Sequence, residues 1–348
     1  MKIFLNPYQN IHNKKKTHSV PFGISATETA KLSCDIDRYE SSMVFFPEYT
    51  KFFLDNIGCV KTKGAKTVVD VGSNQGELTR NVRKKYPKMK TVNVELTSQM
   101  NRIARHKDKQ LKLDKNVVYR KGNALKLPLN NNSVDVILFS RVLHEIYSYD
   151  SPELNASKFS LDSIERCFTE ASQKLKKKGL IIVKDPAKPE DYNKLVILSN
   201  FVDGYNDFKK SNEELQKANV TELRGLALLK RFCLDFEPAK GYYFFSGNRC
   251  VMPKWLASEF IRHRKFNDTE LHWKDEINEQ YGIMTNAEYK KMALNLGFKI
   301  IKAEHNFKEN AKNFYAINNE FKIFDLEQNE LLQEKEFPVD QYLVLEKK

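Results

Sequence analysis

Residues 66–76 read Lys66-Thr67-Val68-Val69-Asp70-Val71-Gly72-Ser73-Asn74-Gln75-Gly76. The β-branched run favours a strand, the glycines favour a turn, and residues 77–86 pattern as a helix closed by Pro87. Strand, glycine turn and helix in that order aim backbone N–H groups and the positive end of a helix at whatever lies beyond the strand. A parallel sheet built on this unit binds its ligand at the strands' carboxyl ends.

The same alternation continues outward. Residues 91–95 read as a second strand, followed by a polar helix over about 98–107; 117–119 begin a third strand that leads into Gly122-Asn123-Ala124. Residues 134–139 are a fourth strand, apolar enough to be covered on both faces. A helix over about 161–177 then leads through Gly179 to a fifth strand at 180–183. Strands separated by helices pair in parallel through right-handed crossovers. Two more strands come late: Thr285 and Glu288 form a capping box, the helix they open stops at Gly297, and strands at 298–301 and 341–345 follow. The roughly 100 residues between the fifth strand and that box are too many for a loop.

The expected fold is therefore α/β: a Rossmann-like seven-stranded sheet with a mainly helical insertion between strands five and six. The expected division is an N-terminal helical or lid segment at 1–62, a core at 63–185, a helical substrate cap at 186–284, and the last helix with the final two core strands at 285–348.

Composition narrows the class. Of 348 residues, 41% are hydrophobic and 30% charged, with 23 Phe and 15 Tyr to fill a core, which excludes a fibre or a wholly disordered chain. No apolar run reaches the ~18 residues of a membrane span, and residues 1–16 lack the apolar stretch of a signal peptide. Cys34, Cys59, Cys167, Cys233 and Cys250 are odd in number, widely spaced and free of CxxC, so a disulfide framework is not implied. The expectation is a cytoplasmic protein with no membrane partner. The net charge of +13 is uneven: residues 63–185 carry 25 basic against 13 acidic side chains, whereas 186–296 carry 17 against 16.

Glu95 ends the second strand, 19 residues after Gly76. An acid there can accept hydrogen bonds from ribose hydroxyls, so turn and acid together suit an adenosine-bearing cofactor. Either alone is as well explained by a tight turn or a surface carboxylate; their register with the strands favours a ligand. An NAD-type reading is weaker, because the loop is GxxxG rather than GxGxxG.

The Asp70–Gly76 loop, Glu95, Gly122-Asn123-Ala124 and the segment from Val134 to Ile146 together resemble the class I S-adenosylmethionine-dependent methyltransferases, over roughly residues 64–185 plus the final two strands. The resemblance implies S-adenosylmethionine as cofactor. Its methionine part falls to Asp70, Gly72, Ser73, Asn74 and Gly76, its ribose to Glu95, its adenine to Asn123 and Ala124, with Ser140 and Arg141 beside the methyl. Asn74 stands where the family usually has glycine, and Asn is the side chain most at ease with positive φ. Asn123 replaces the usual Asp, and its amide oxygen can still accept from an adenine amino group.

A sulfonium methyl is already electrophilic, so the protein must align a nucleophile, exclude water and remove any proton. His144, with Glu145 second, is the expected general base, because imidazole titrates near neutrality. No metal set is expected: His144 and Glu145 are adjacent, and Glu276 and Glu279 lack a His or Asp nearby in sequence. The Asn/Asp-Pro-Pro-Tyr/Phe segment and the Pro-Cys nucleophile of base methyltransferases are absent. The insertion should choose the substrate. Its 16 aromatics among 111 residues (186–296), including Tyr242 to Phe245, Trp255 and Trp273, and its balanced charge favour a small molecule over RNA. Arg249, Arg262, His263, Arg264 and His272 are candidates for an anionic group, more cheaply read as a solvated face. By family analogy, Tyr8, Phe22, Arg38 and Tyr39 are candidates for a lid. The basic clusters Arg80, Arg83, Lys84, Lys85, Lys88 and Arg102, Arg105, Lys107 read as solvated charge and keep an RNA methyltransferase as the alternative. A non-catalytic cofactor-binding or scaffold protein is the third reading, resting on Asn74 and Asn123.

Overall fold

The computed structural model describes residues 47–61, 64–306 and 319–348; Tyr8, Phe22, Arg38 and Tyr39 lie outside these. Helix α1 (Pro47–Lys61) precedes β1 (Thr67–Val71), α2 (Glu77–Lys85), β2 (Lys90–Glu95), α3 (Ser98–Gln110), β3 (Val117–Lys121), β4 (Val134–Ser140), α4 (Leu143–Ser148), α5 (Leu161–Lys174) and β5 (Leu175–Pro186). Next come β6 (Leu195–Ser199), α6 (Tyr205–Phe208), α7 (Asn212–Lys217), α8 (Gly225–Asp235), β7 (Phe244–Ser246), β8 (Arg249–Pro253), α9 (Lys254–His263) and α10 (Glu270–Glu276). The last elements are α11 (Asn286–Asn295), β9 (Phe298–Asn306), β10 (Lys322–Asp325) and β11 (Asp340–Lys347).

The main sheet has seven strands in the order β3-β2-β1-β4-β5-β11-β9, with β11 antiparallel to both neighbours. The chain runs outward from β1 to β3 and returns on the other side at β4, so the switch point, where open sheets bind ligands, lies between β1 and β4. Side-chain alternation sorts the strands onto two cores. Val69, Val71, Phe139 and Val183 pack against Leu143, Phe168 and Tyr289 of α4, α5 and α11. Val68, Val136, Leu138 and Ile182 face Phe53 and Ile57 of α1 and Leu78 and Val82 of α2. Each such side chain contributes about 1.5–3 kcal/mol by leaving water.

The insertion is mainly helical, and it also holds a small antiparallel sheet of order β10-β6-β8-β7. Its separate core gathers Leu198, Leu229, Phe232, Phe260 and Trp273. The division that assigned all of 285–348 to the main sheet differs from the structure here: β10 pairs with β6, and Phe321, Ile323, Leu332 and Phe337 are buried in the cap's core. Two chain segments therefore build the cap. Among the described residues no helix is long and apolar enough to cross a membrane.

The reading of Arg80 and Arg83 as solvated charge is corrected. Both are buried, at 2% and 3% exposure, against the fully buried Asp108 of α3. Arg80 Nη1 lies 3.1 Å and Arg83 Nη2 2.5 Å from its carboxylate, and the Tyr119 hydroxyl donates to it as well. Arg83 also donates to Thr91 Oγ1 (2.7 Å) and to the Leu113 carbonyl (2.9 Å), so the cluster ties α2 to α3 and to the edge of β2.

Candidate active site

Three of the five loop residues after β1 are left-handed: Gly72 (φ 69), Asn74 (φ 45) and Gly76 (φ 76). Asn74 thus adopts the conformation for which the family uses glycine. At Gly72 the need for glycine is also steric, because a Cβ there would lie 2.5 Å from Val142 Cγ2. The N–H groups of Gly72 and Ser73 donate to the Val94 carbonyl (2.9 and 3.2 Å), folding the loop onto the end of β2. Glu95 pins it there, accepting from Asn74 N–H (2.9 Å) and Thr97 N–H (3.0 Å). Burial pushes the Glu95 carboxyl up, and these N–H groups oppose that rise.

Asp70 Oδ1, Ser73 Oγ and Ser140 Oγ are buried with no hydrogen-bond partner among the described residues. Three such atoms at the ends of β1 and β4 are costly unless a polar ligand completes them, at about 1–3 kcal/mol each. An amino acid moiety with an ammonium group fits that need, and a ribose fits the free lone pairs of Glu95. The residues present therefore suit S-adenosylmethionine. Burial, with Glu95 nearby, pushes Asp70 up to about 8. Asp70 must ionise to face an ammonium, so binding should release a proton. Calorimetric affinity for S-adenosylhomocysteine is expected to rise as pH increases toward about 8 and then level off, and Asp70→Asn should flatten that rise. A wild-type affinity independent of pH over this range would separate Asp70 from the cofactor.

The remaining expected cofactor residues are placed less simply. Asn123 Oδ1 accepts from Leu125 N–H (2.9 Å) and its Nδ2 donates to Ser151 Oγ (3.2 Å), leaving one oxygen lone pair. Ala124 is buried in the core beneath. Arg141, left-handed at φ 52, reaches toward Asp340 Oδ1 (3.3 Å) at the start of β11.

Helix α4 carries His144 and Glu145 to the same end of the sheet. His144 is buried, and both ring nitrogens face carboxylates: Nδ1 lies 3.0 Å from Asp185 Oδ1, and Nε2 3.5 Å from Glu279 Oε2. Its backbone N–H also donates to Asp185 (3.0 Å). Burial lowers the imidazole pKa, but Asp185 and Glu279 outweigh it and hold the ring well above its ordinary value. Glu145 is half-buried; its backbone carbonyl accepts from Tyr149 N–H (3.2 Å), while its carboxylate makes no hydrogen bond among the described residues. Burial, then the charge of Glu279, raises its carboxyl well above the usual range, with His144 opposing. The cap closes directly on this helix: Gln280 N–H donates to Ser148 Oγ (2.8 Å), Tyr149 OH donates to Glu279 (2.8 Å), and the Tyr281 ring lies 4.8 Å from that of His144.

The cap's cationic candidates are mostly engaged. Arg262 donates to the carbonyls of Ala187 (2.6 Å) and Pro338 (2.9 Å), joining the two crossings between core and cap. His263 is fully buried against the carbonyls of Glu259, Glu276 and Glu279. Arg264 grips Glu320 through two contacts (2.8 and 2.6 Å), and His272 sits between Asp268 (2.7 Å) and Glu276 (3.6 Å). Only Arg249, exposed on β8, is a solvated side chain of the kind expected.

Asp185 and Glu279 were missed as site residues. Asp185 had a signal, being at the carboxyl end of the strand beside β4. Glu279 had none, since α10 stops at Glu276 and the turn beyond reaches α4 only in three dimensions.

A family model described as a methyltransferase domain matches residues 62–243. No curated protein matches the chain significantly. Several solved structures are similar at low identity. A geranyl diphosphate methyltransferase in complex with S-adenosylmethionine is 12% identical, with 92% of this chain and 90% of that one covered and a TM-score of 0.47. A methyltransferase from Methanosarcina mazei is 11% identical (81% and 92% covered, TM-score 0.43). A geranyl diphosphate C-methyltransferase from Streptomyces coelicolor A3(2) is 12% identical (91% and 82%, TM-score 0.42). The family match spans more than half of the chain and contains the Asp70–Gly76 loop, Glu95 and α4, so the chain belongs to the methyltransferase-domain family and is a class I S-adenosylmethionine-dependent methyltransferase.

Proposed function

We propose that this enzyme methylates an oxygen or nitrogen of a small molecule between α4 and the cap, with Glu145 as the proton acceptor. The observation that carries this reading is the roof: Gln280 and Glu279 bond Ser148 and Tyr149 at 2.8 Å each, so the ends of β4 and β5 are covered rather than open to a long polymer. Bound cofactor supplies a methyl on a sulfonium whose leaving group is neutral. Asp70 and Glu95 hold that cofactor, and the roof excludes water. Glu145, whose carboxyl is held well above the usual range and makes no side-chain hydrogen bond among the described residues, suits proton removal from an acceptor. His144 suits it less than its sequence position suggests. An imidazole kept protonated by Asp185 and Glu279 has no lone pair to offer, so its role in this reading is to fix Glu279 against α4 and to offset the negative charge around Glu145.

Incubation with methyl-tritiated S-adenosylmethionine, a metabolite pool and total RNA tests the reading. Label should enter the metabolite fraction and depend on Glu145. Label in RNA instead would replace the small-molecule acceptor with a nucleic acid.

A further inference from the structure

The charge excess of the core is concentrated at one edge of the sheet, away from the roofed site. Strand β3 is that edge and has no further strand beside it among the described residues. Against it α3 lays a concave groove of about 490 Å³, lined by Arg102, Arg105, His106 and Lys109 of the helix and by Tyr119 and Lys121 of the strand. Arg102, Arg105, His106, Lys109 and Lys121 are all exposed, and none is ion-paired with a described residue. Asp108, the one acid of α3, cannot offset them, because its carboxylate is buried and occupied by Arg80, Arg83 and Tyr119.

The geometry narrows what such a groove can hold. At 1.5 Å rise per residue, Arg102 and Lys109 lie about 10 Å apart along the helix, so the cations form a row rather than converge on a single anion. Arg105 lies over the Tyr119 ring, 5.0 Å from its centre, so a planar cation and an aromatic ring occur together among the lysines, the combination that single-stranded nucleic acids use for stacking. A protein partner would need an apolar centre, and Tyr119 is the only lining residue with a large apolar surface. A bilayer would need a flat or protruding face rather than a concave one.

We propose that the α3–β3 groove binds the phosphate backbone of a single-stranded RNA. The binding is a docking interaction that is independent of the acceptor in the roofed site. It begins beside the cofactor end of the sheet, where Glu95 pairs in register with Lys121, and runs along α3 away from that end.

Fluorescence anisotropy with a labelled RNA of about 16 nucleotides, the upper range for one binding module, tests this on the full chain. Wild-type affinity should fall steeply with salt. Arg102→Glu with Lys109→Glu should weaken binding about tenfold or more and flatten the salt dependence. Lys84→Glu with Lys88→Glu makes the same charge change on and after α2 and should leave affinity within about twofold. Retained affinity for S-adenosylhomocysteine confirms that each variant is folded. No wild-type binding at low salt overturns the proposal, as does equal weakening by both pairs, which would reduce the effect to net charge. Polyglutamate displacing RNA as well as unlabelled RNA does would assign the groove to an acidic protein instead.

Discussion

Asp108→Ala is expected to destabilise the protein by about 3–5 kcal/mol, the cost of leaving a buried charge without its partner. Here two partners are stranded. Arg80 and Arg83 are 2% and 3% exposed, and their guanidinium groups converge on one carboxylate at 3.1 and 2.5 Å. Burial pulls the Arg83 pKa down and Asp108 holds it up, so removing the acid leaves the penalty without its compensation. The Tyr119 hydroxyl loses its acceptor at the same time. Denaturant titration should show a lower midpoint with an unchanged slope. Asp55→Ala is the comparison, because Asp55 pairs with Lys51 and Lys85 where all three side chains are about half exposed or more, and its loss should cost less than about 1 kcal/mol. If Asp108→Ala costs no more than Asp55→Ala, the arginines are reached by water and the cluster does not secure α2 to α3.

That cluster also shows where the sequence stops being informative. The sheet was legible because most of its strands are short, β-branched and bounded by a turn, and because Asp70, Glu95 and Gly122 fall where such strands end; the start of β5 was not, since Leu175 to Lys177 read as the end of the preceding helix. The positive φ at Asn74 was legible for the same reason, since few other side chains tolerate it. Burial of Arg80 and Arg83 was not, because a basic helix reads the same whether its charges meet water or an acid 25 residues on. Strand β10 escaped notice as four residues whose partner, β6, lies more than 120 positions earlier. The surroundings of His144 follow the same rule: Asp185 is 41 positions away and Glu279 135, and only the fold brings both to one ring.

These surroundings make Glu145 and His144 distinguishable by kinetics. Glu145→Gln keeps the shape of the side chain and removes its basicity, and it should lower turnover by ~10²–10⁴-fold while leaving affinity for S-adenosylhomocysteine nearly intact. A base must be ionised to act, so the wild-type rate should fall as pH drops through the raised Glu145 value. His144→Gln acts differently. The imidazolium lowers the Glu145 pKa, and Glu279 and Glu95 raise it, so removing the cation should move the acidic limb of the pH–rate profile to higher pH without abolishing it. The same change strands the carboxylates of Asp185 and Glu279, 0% and 6% exposed, so the variant should also be less stable at neutral pH. If His144 were the base, its replacement would instead erase the acidic limb, and Glu145→Gln would leave that limb in place. The position of one limb in two variants therefore decides which residue takes the proton, whatever the acceptor proves to be.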